Sequence, residues 1–386
     1  MVKRKFQFDT NSSKLILNKI RIHGEISSAE LSRLTSYQPS TISNIVKRLK
    51  KRGLIEVSRI ASSDSVGKPP TLWKVKPDQG YIIGIECLPN EIRSRVVDIA
   101  GNSIAQKRRK YKNCIKGGEI SLKIKNYIEN VLNEFEFIKN DILGIGIALP
   151  GLIDGENGYI HFSRELNIDK LPLRDKIKEA FDIPIYLAND ANAGALGEIW
   201  FKNAEGRDNL IFLSINEITK DLGSGIIIDN QLYDGCSGTA GELLTSLPNI
   251  IKIISRLREE EDINTQYWDR FDRHEEVPFS EIIDKAKNED PVASVIVEKF
   301  SEVIADQVVN LIGFYNPESI ILGGDVSSTD YIVSNYIIPE VKNNFSEYFP
   351  RGVEFPNITP SKFGVYSVSM GAISLILKNI FLNENV

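Results

Sequence analysis

A change in hydrophobic periodicity near residue 80 is the feature that most constrains the fold of this chain. Up to residue 76, apolar residues recur at the three- and four-residue spacing of helices, whereas from Gly80 they form short β-branched runs typical of strands. The chain has 386 residues, at least twice the usual length of one domain. The sequence therefore predicts a small helical head, residues 1–76, in front of a larger α/β body, residues 77–386.

The head and the body differ in the sign of their charge. Residues 1–76 carry 16 Lys and Arg against 5 Asp and Glu, while residues 77–386 carry 31 against 47. A basic head on an acidic body favours nucleic-acid binding by the head. Three cysteines and three histidines are too few for a disulfide framework or a Cys/His zinc site. Without a secretory signal or 18 uninterrupted apolar residues, we expect a cytoplasmic protein that does not enter the membrane.

Three helices and a β-hairpin are predicted in the head. The apolar spacing indicates helices over Leu15–Ile22, Ser28–Thr35 and Pro39–Arg52. Two further segments, Leu54–Val57 and Thr71–Val75, have the composition of strands and flank a polar loop. This order of elements predicts a winged helix-turn-helix domain.

The third helix has the side chains of a recognition helix. Its hydroxyl and amide groups can reach base edges in the major groove, and its Lys and Arg side chains can neutralise phosphates. The predicted DNA-binding residues are Gln38, Ser40, Thr41, Ser43, Asn44, Lys47, Arg48 and Lys51, together with Lys68 in the wing loop. The alternative is a protein-binding head whose basic face is only solvated.

The body begins with three strands, followed by a helix, a strand, a helix, a strand and a helix. These elements are predicted at Tyr81–Ile85, Ile92–Ile99, Ser103–Arg109, Glu119–Phe137, Ile142–Leu149, Leu173–Phe181, Ile183–Ala188 and from Ala191. This order predicts an actin-like (ribonuclease H-like) lobe over about 77–190 and 370–386. A second lobe is predicted over about 191–369, with a long helix after Asp290. Two lobes imply a cleft that can bind a small ligand.

Four segments of the body carry a resemblance to a known family. They are Gly144–Asp154, Asn189–Glu198, Gly238–Glu242 and Asn316–Gly324. In this order and spacing they resemble the ROK family (repressors, open reading frames and sugar kinases). With a winged helix in front, the arrangement is similar to that of the family's sugar-responsive repressors, of the xylose and N-acetylglucosamine types.

The resemblance implies a set of sugar-binding residues. An amide beside a carboxylate, as at Asn189 and Asp190, suits adjacent sugar hydroxyls, and Asp190 stands at the position of the kinase base. The implied ligand-binding residues are Asn189, Asp190, Glu242, Glu165, Gly151 and Thr245, of which Glu165 replaces the Asn of many members. The alternatives are that one residue of the Asn189–Asp190 pair only caps a helix and that Glu242 lies in a surface turn.

Two segments depart from the phosphate loops of the family's kinases. Glu86–Asn90 stands in place of Asp-x-Gly-Gly-Thr, and Asn216–Gly225 in place of Gly-Thr-Gly-Ile-Gly. Close approach of backbone amides to phosphate needs glycine, and added carboxylates repel an anion. The zinc site of many members is also replaced, with Leu244 and Thr245 where they have Gly-His. We expect no Mg-ATP, no metal, no cofactor and no catalytic residue.

The sequence therefore predicts a DNA-binding transcriptional regulator that responds to a sugar. It would repress carbohydrate-utilisation genes, bind operator DNA as a homodimer or a dimer of dimers, and bind a monosaccharide such as xylose between its lobes. One alternative is an ATP-dependent sugar kinase, of the glucokinase or N-acetylglucosamine kinase type, with a fused DNA-binding head. A second is a sugar-sensing protein whose head binds another protein.

Overall fold

The structure is a computed structural model that describes Phe6, Phe8 and six longer ranges. These are residues 10–60, 70–201, 207–216, 221–260, 277–325 and 330–382. The elements form two units, one of Met1–Glu205 with Val368–Val386 and the other of Gly206–Ser367. The first unit contains the head as well as the first part of the body.

The head is a winged helix-turn-helix, as the sequence predicts. Its elements are α1 (Asn11–His23), β1 (Ile26–Ser27), α2 (Ser28–Thr35), α3 (Pro39–Lys51), β2 (Ile55–Ile60) and β3 (Thr71–Val75), and the sheet has the order β1-β3-β2. The Thr10 side chain accepts a hydrogen bond from the amide of Ser13 at the start of α1. Ser27 and Glu30 form a capping box on α2, and Pro39 occupies the first turn of α3. Side-chain caps therefore mark the start of α1 and α2, and Pro39 marks the start of α3.

A five-stranded sheet forms the centre of the rest of the first unit. The elements are β4 (Tyr81–Leu88), β5 (Glu91–Asp98), β6 (Ser103–Lys110), α4 (Glu119–Glu134), β7 (Ile142–Leu149), β8 (Leu152–Asp154), β9 (Tyr159–Ser163), β10 (Ile168–Leu171), α5 (Leu173–Lys178), β11 (Ile185–Asn189) and α6 (Asp190–Trp200). The sheet order is β11-β7-β4-β5-β6, with β4 to β6 antiparallel and β7 and β11 parallel to β4. This is the predicted actin-like arrangement. The small antiparallel sheet β8-β9-β10 is an addition that the sequence analysis did not predict.

The last helix of the chain covers one face of the five-stranded sheet. Ile83 and Ile145 point into the core shared with α4, while the glycines next to them face the final helix. A Cβ atom at Gly84 or Gly146 would collide with a backbone carbonyl of that helix, at Ser369 and Ala372 respectively. The alternation of glycine and isoleucine in these strands thus lets a helix approach the sheet backbone closely.

The second unit is built on another mixed sheet. Its elements are β12 (Leu210–Asn216), β13 (Asp221–Ile228), β14 (Gln231–Leu232), β15 (Glu242–Ser246), α7 (Ile250–Glu260), α8 (Phe279–Ala286), α9 (Pro291–Tyr315), β16 (Ser319–Gly324), α10 (Ile338–Tyr348) and β17 (Asn357–Pro360). The strand order is β14-β13-β12-β16-β17, and β15 pairs with β13. The long helix predicted after Asp290 is present, and the Asp290 side chain caps it by accepting from the amide of Ala293.

The final helix, α11 (Ser367–Phe381), packs on the first unit, as predicted. Val368 and Ala372 lie in one apolar cluster with Ala148 of β7 and Ala193 of α6. The window Gly364–Phe381 has the length of a membrane span and a mean hydropathy of 1.3, but 67% of it is buried inside the protein. It is a core helix.

The division of the chain differs from the expected one. The expected end of the first lobe is near residue 190, whereas the units divide after Glu205, which leaves α6 in the first unit. Helix α6 stays there because its glycine and alanine residues pack directly on α11. The separation of residues 1–76 as a domain of its own remains a prediction.

We expect Gly371→Ala to destabilise the protein. A Cβ atom at Gly371 would overlap the carbonyl of Ala193, so α6 and α11 would have to separate, at a cost of about 1–3 kcal/mol. Gly313→Ala in α9 is the matched control, because its Cβ would meet only the Phe349 ring at 3.7 Å. The control should gain about 0.5–1 kcal/mol. Urea unfolding measures both, and equal midpoints would contradict the packing.

Candidate ligand site and DNA-binding surface

The junction between β11 and α6 holds the first two predicted ligand residues. Asn189 is the N-cap of α6, and its Oδ1 accepts from the amide of Asn192 at 3.1 Å while its Nδ2 donates to the carbonyl of Gly151 at 3.1 Å. Asn189 therefore does cap the helix, as the structural alternative supposed. Asp190 is half-buried, and its Oδ1 accepts from the amide of Ala191 at 2.9 Å. Its carboxylate lies at the positive end of the helix dipole.

Gly151 is placed beside this junction by tight packing. Its φ of 119° is unfavourable for other residues, and a Cβ atom there would overlap the carbonyl of Phe162 and the side chain of Ser163. The Gly151 carbonyl therefore faces the Asn189 amide from a fixed position. Glu165 follows two residues after Ser163; its side chain is 14% exposed and accepts from Arg164 Nε at 3.0 Å. The structure thus brings Asn189, Asp190 and Gly151 together and places Glu165 on the adjoining β9–β10 connection.

Glu242 and Thr245 lie in the second unit, on β15. Glu242 is exposed and pairs with Gly223 of β13, and Thr245 is half-buried. Gly241, with a φ of 86°, accepts hydrogen bonds at its carbonyl from the amide and the hydroxyl of Ser224, at 3.1 and 2.8 Å. The turn before Glu242 is therefore fixed against β13.

A tight hairpin occupies the position of the first phosphate loop. Strands β4 and β5 stay paired up to Leu88 and Glu91, so the connection consists of Pro89 and Asn90. Pro89 has no backbone N–H, so Asn90 is the one residue of this connection that has a backbone donor. The departure from the glycine pair in the sequence thus removes a donor from this turn.

Beside this hairpin lies a buried cluster of charges. Arg93, with 0% of its side chain exposed, forms ion pairs with Glu86, at 3.7 Å, and with Glu91. Arg108, which is 42% exposed, also pairs with Glu91. Burial on its own would raise the pKa of Glu91, but the hydrogen bond from Arg108 and the charge of Arg93 outweigh it and hold the pKa below the ordinary value of 4.5. The role of Arg93 was not predicted, because strand alternation places it on the opposite face from the core residue Ile92 and its partners are not evident from the local sequence.

Gly323 and Gly324, the glycine pair at the end of β16, are both tightly packed. Gly323 lies against the ring of Phe212, and Gly324, with a φ of 79°, lies against the carbonyl of Ile215. The Gly324 amide donates to the hydroxyl of Ser367 at 3.2 Å. These two residues end strand β16 against β12. The second predicted loop continues as paired strand up to Asn216 and Asp221, and residues 217–220 lie outside the described residues.

No metal cluster is present in the part of the chain that the structure describes. No group of three or more His, Cys, Asp or Glu side chains there could hold an ion. Thr245, at the position of the family's sugar- and zinc-binding His, lies in a paired strand.

Helix α3 presents the predicted DNA-binding face to solvent. Ile42, Ile45, Val46 and Leu49 are buried. Seven predicted contact residues are exposed, and Ser43 is half-buried; the exposed ones are Gln38, Ser40, Thr41, Asn44, Lys47, Arg48 and Lys51. Arg48 donates to the hydroxyl of Ser13 at 2.8 Å, so its guanidinium also ties α3 to α1. Lys68 lies outside the described residues.

The fold and the site define the class to which this chain belongs: proteins in which a winged helix-turn-helix head precedes an actin-like body. The chain belongs to the ROK family, whose family profile matches residues 82–243 and 257–379. A MarR family profile matches residues 10–62.

Similar proteins include both regulators and kinases. The chain is 31% identical to a xylose repressor of Caldicellulosiruptor bescii, over 81% of this chain and 82% of that protein. It is 26% identical to a xylose repressor of Bacillus subtilis, over 95% and 94%. Among solved structures, a ROK family transcriptional regulator homologous to the E. coli MLC protein aligns with a TM-score of 0.75 and 20% identity, over 96% and 97%. A ROK family glucokinase from Streptomyces griseus, in complex with glucose and AMPPNP, aligns with a TM-score of 0.63 and 20% identity, over 77% and 99%.

We expect Arg93→Met to destabilise the protein by about 3–5 kcal/mol at neutral pH, because Glu86 and Glu91 would be left buried without their partner. Arg108→Met, which removes a half-exposed partner of Glu91, should cost about 1 kcal/mol or less. Denaturant unfolding of the two variants measures this difference.

The same variants have an expected pH dependence. The native contribution of Glu91, whose pKa is lowered, is present at neutral pH and is lost as the pH falls through its folded-state value. In Arg93→Met the two carboxylates, buried without Arg93, instead take up protons on folding. The stability difference between the parent protein and Arg93→Met should therefore shrink between pH 7 and about pH 4. A constant difference over this range would contradict the assigned ion pairs.

Proposed function

We propose that the protein is a sugar-responsive, DNA-binding transcriptional repressor that acts in the cytoplasm. The observation that carries the proposal is the exposed polar and basic face of α3 on a winged head that precedes a ROK body. Relatives named xylose repressor, aligned over 81% to 95% of this chain, support the combination. The head binds operator DNA as a homodimer or dimer of dimers, because one winged helix offers a small interface for specific affinity.

The effector is a monosaccharide, and D-xylose is the first to test because several relatives carry that sugar in their names. Asp190 supplies an acceptor for sugar hydroxyls at the start of α6, beside the Gly151 carbonyl that Asn189 fixes. Glu165, Glu242 and Thr245 are the further proposed contact residues. The sugar changes operator affinity only if it binds the free and the DNA-bound states differently.

The body acts without phosphoryl transfer in this proposal. The segment Glu86–Asn90 lacks the glycine pair of the kinases' first phosphate loop, which supports this part of the proposal. The Gly324 amide, which is bonded to the Ser367 hydroxyl, supports it as well. The second candidate function is a sugar kinase with a fused DNA-binding head, favoured by Asp190 at the position of the kinase base. Thermal unfolding with and without Mg-ATP separates the two, because stabilisation by Mg-ATP would support the kinase.

We expect a bound sugar to raise the melting temperature and Asp190→Asn to abolish the shift. A ligand at 100 times its dissociation constant adds about 2.7 kcal/mol to native stability. The variant should keep its operator affinity, because Asp190 lies outside the head. Asp169→Asn, an exposed carboxylate on β10, is the control that should respond as the parent protein does. A sugar shift that survives in Asp190→Asn would remove this residue from the site.

We expect Lys47→Ala to weaken operator and non-operator DNA alike and to reduce the salt slope of binding by about 1. Lys47 is exposed on the outer face of α3, whereas Arg48 also supports the fold through Ser13 and makes a less direct test. Lys112→Ala removes the same charge from an exposed site of the body and should leave the slope unchanged. An unchanged slope in Lys47→Ala would place this lysine away from DNA.

A further inference from the structure

Arg21, near the end of α1, is a buried cation at the contact between the head and the rest of the first unit. It is 6% exposed, its Nη2 donates to the carbonyl of Trp200 at 3.2 Å, and its Nε donates to Asn18 Oδ1 at 3.0 Å. Its guanidinium carbon lies 5.4 Å from the ring centroid of Trp200, 6.0 Å from that of Phe201 and 5.7 Å from that of Phe381. These distances are those of cation–π contacts.

The body residues that surround Arg21 are helix ends. Trp200 is the last residue of α6 and Phe381 the last residue of α11. The final carbonyls of a helix lack partners within the helix and carry its negative dipole end, so a buried guanidinium is favourable there. Burial lowers the pKa of Arg21 to about 10, and the side chain therefore keeps its charge at neutral pH. The head is thus attached to α6 by a contact that is charged at neutral pH.

Helix α6 connects this contact with the ligand site. It starts at Asp190 and has 11 residues, so it is roughly 16 Å long. It packs on α11 nearly backbone to backbone, since a Cβ atom at Gly197 would lie 2.8 Å from the Cα of Gly371. Two helices in contact through their backbones, with no long side chains between them, have little room to repack and move as one piece.

We propose that Arg21 is the positioning residue through which occupancy of the α6 N-terminus controls the head. The inference rests on the proposed function. A sugar bound at Asp190 shifts α6 together with α11 and the strands packed on it. The shift moves Trp200 and Phe381, which contact Arg21, relative to the head. The orientation of α1, and with it the operator affinity of α3, then differs between the two states.

The test measures the ratio of operator dissociation constants with and without saturating D-xylose in the full-length protein. We expect a ratio of about 5 or more, in either direction, for the parent protein. It should fall below about 2 in Arg21→Gln, which keeps a polar side chain but loses the charge. D-xylose affinity, measured by calorimetry, should stay within about threefold of the parent value, because Arg21 does not touch the site. Arg21→Lys should restore part of the ratio.

Two further variants complete the design. Phe381→Leu removes one ring on the body side and leaves the cation in place, so it should also lower the ratio. If Arg21→Gln does not fold, the ratio measured in Phe381→Leu tests the inference. Arg109→Met is the matched control, because Arg109 lies 5.4 Å from the Tyr111 ring on the exposed strand β6 and should not affect the ratio.

The outcomes separate the inference from the function on which it rests. A parent protein whose operator affinity does not respond to D-xylose, or to any monosaccharide of a panel that stabilises it, would overturn both. A parent response that persists at full size in Arg21→Gln and in Phe381→Leu would overturn the inference alone. Loss of the ratio together with loss of sugar binding would also overturn it, since Arg21 would then support the site itself.

Discussion

The close approach of α11 to the strands β4 and β7 and to α6 is the constraint on which the first unit depends. At Gly84, Gly146 and Gly371 a single added carbon would overlap a backbone carbonyl of the neighbouring element. Side chains elsewhere can change rotamer to absorb a displacement, but backbone contacts of this kind cannot. The N-terminus of α6 and the end of β7, where Asn189 and Gly151 meet, are therefore held by the stiffest part of the fold. A ligand bound there therefore acts on α6, α11 and the strands beneath them as one body.

The fold is shared with a ROK family glucokinase whose structure holds glucose and AMPPNP, so function has to be argued from individual side chains and turns and not from the fold. In this chain a short hairpin replaces the first phosphate loop, and Arg93 lies buried between two carboxylates. Burying three charges without water is favourable only when they compensate each other, and Arg108 brings the cluster to neutrality at its rim. Such a cluster stabilises one arrangement of the hairpin.

Much of this architecture could be predicted from the sequence, because it is encoded in local patterns. The helical stripe of Ile42, Ile45, Val46 and Leu49, the alternation of isoleucine with glycine in β7 and the cap at Asp290 each indicate their element directly. The β8–β10 sheet was missed because strands of three to five residues are too short for a clear period. The place of α6 in the first unit depends on its packing on α11, which lies far along the chain, and local patterns do not encode such a contact. The roles of Arg93 and Arg21 also depend on partners that the local sequence does not identify.

In the candidate site, too, the residues could be predicted from a local motif, but their hydrogen bonds to distant residues could not. Asn189 and Asp190 were identified from a motif, yet the motif does not reveal that the side-chain amide of Asn189 is hydrogen-bonded to the backbone of Asn192 and Gly151. This use leaves the Asp190 carboxylate as the stronger group for a hydroxyl, since an ionised acceptor forms shorter and stronger hydrogen bonds than an amide. Because Asp190 is the first residue of α6, the helix dipole is also part of the site. The positive end of α6 lies at Asp190 and its negative end at Arg21, so one helix presents opposite partial charges to the ligand residue and to the head. A rigid helix with a charged contact at each end is a physical link between two sites that share no residue.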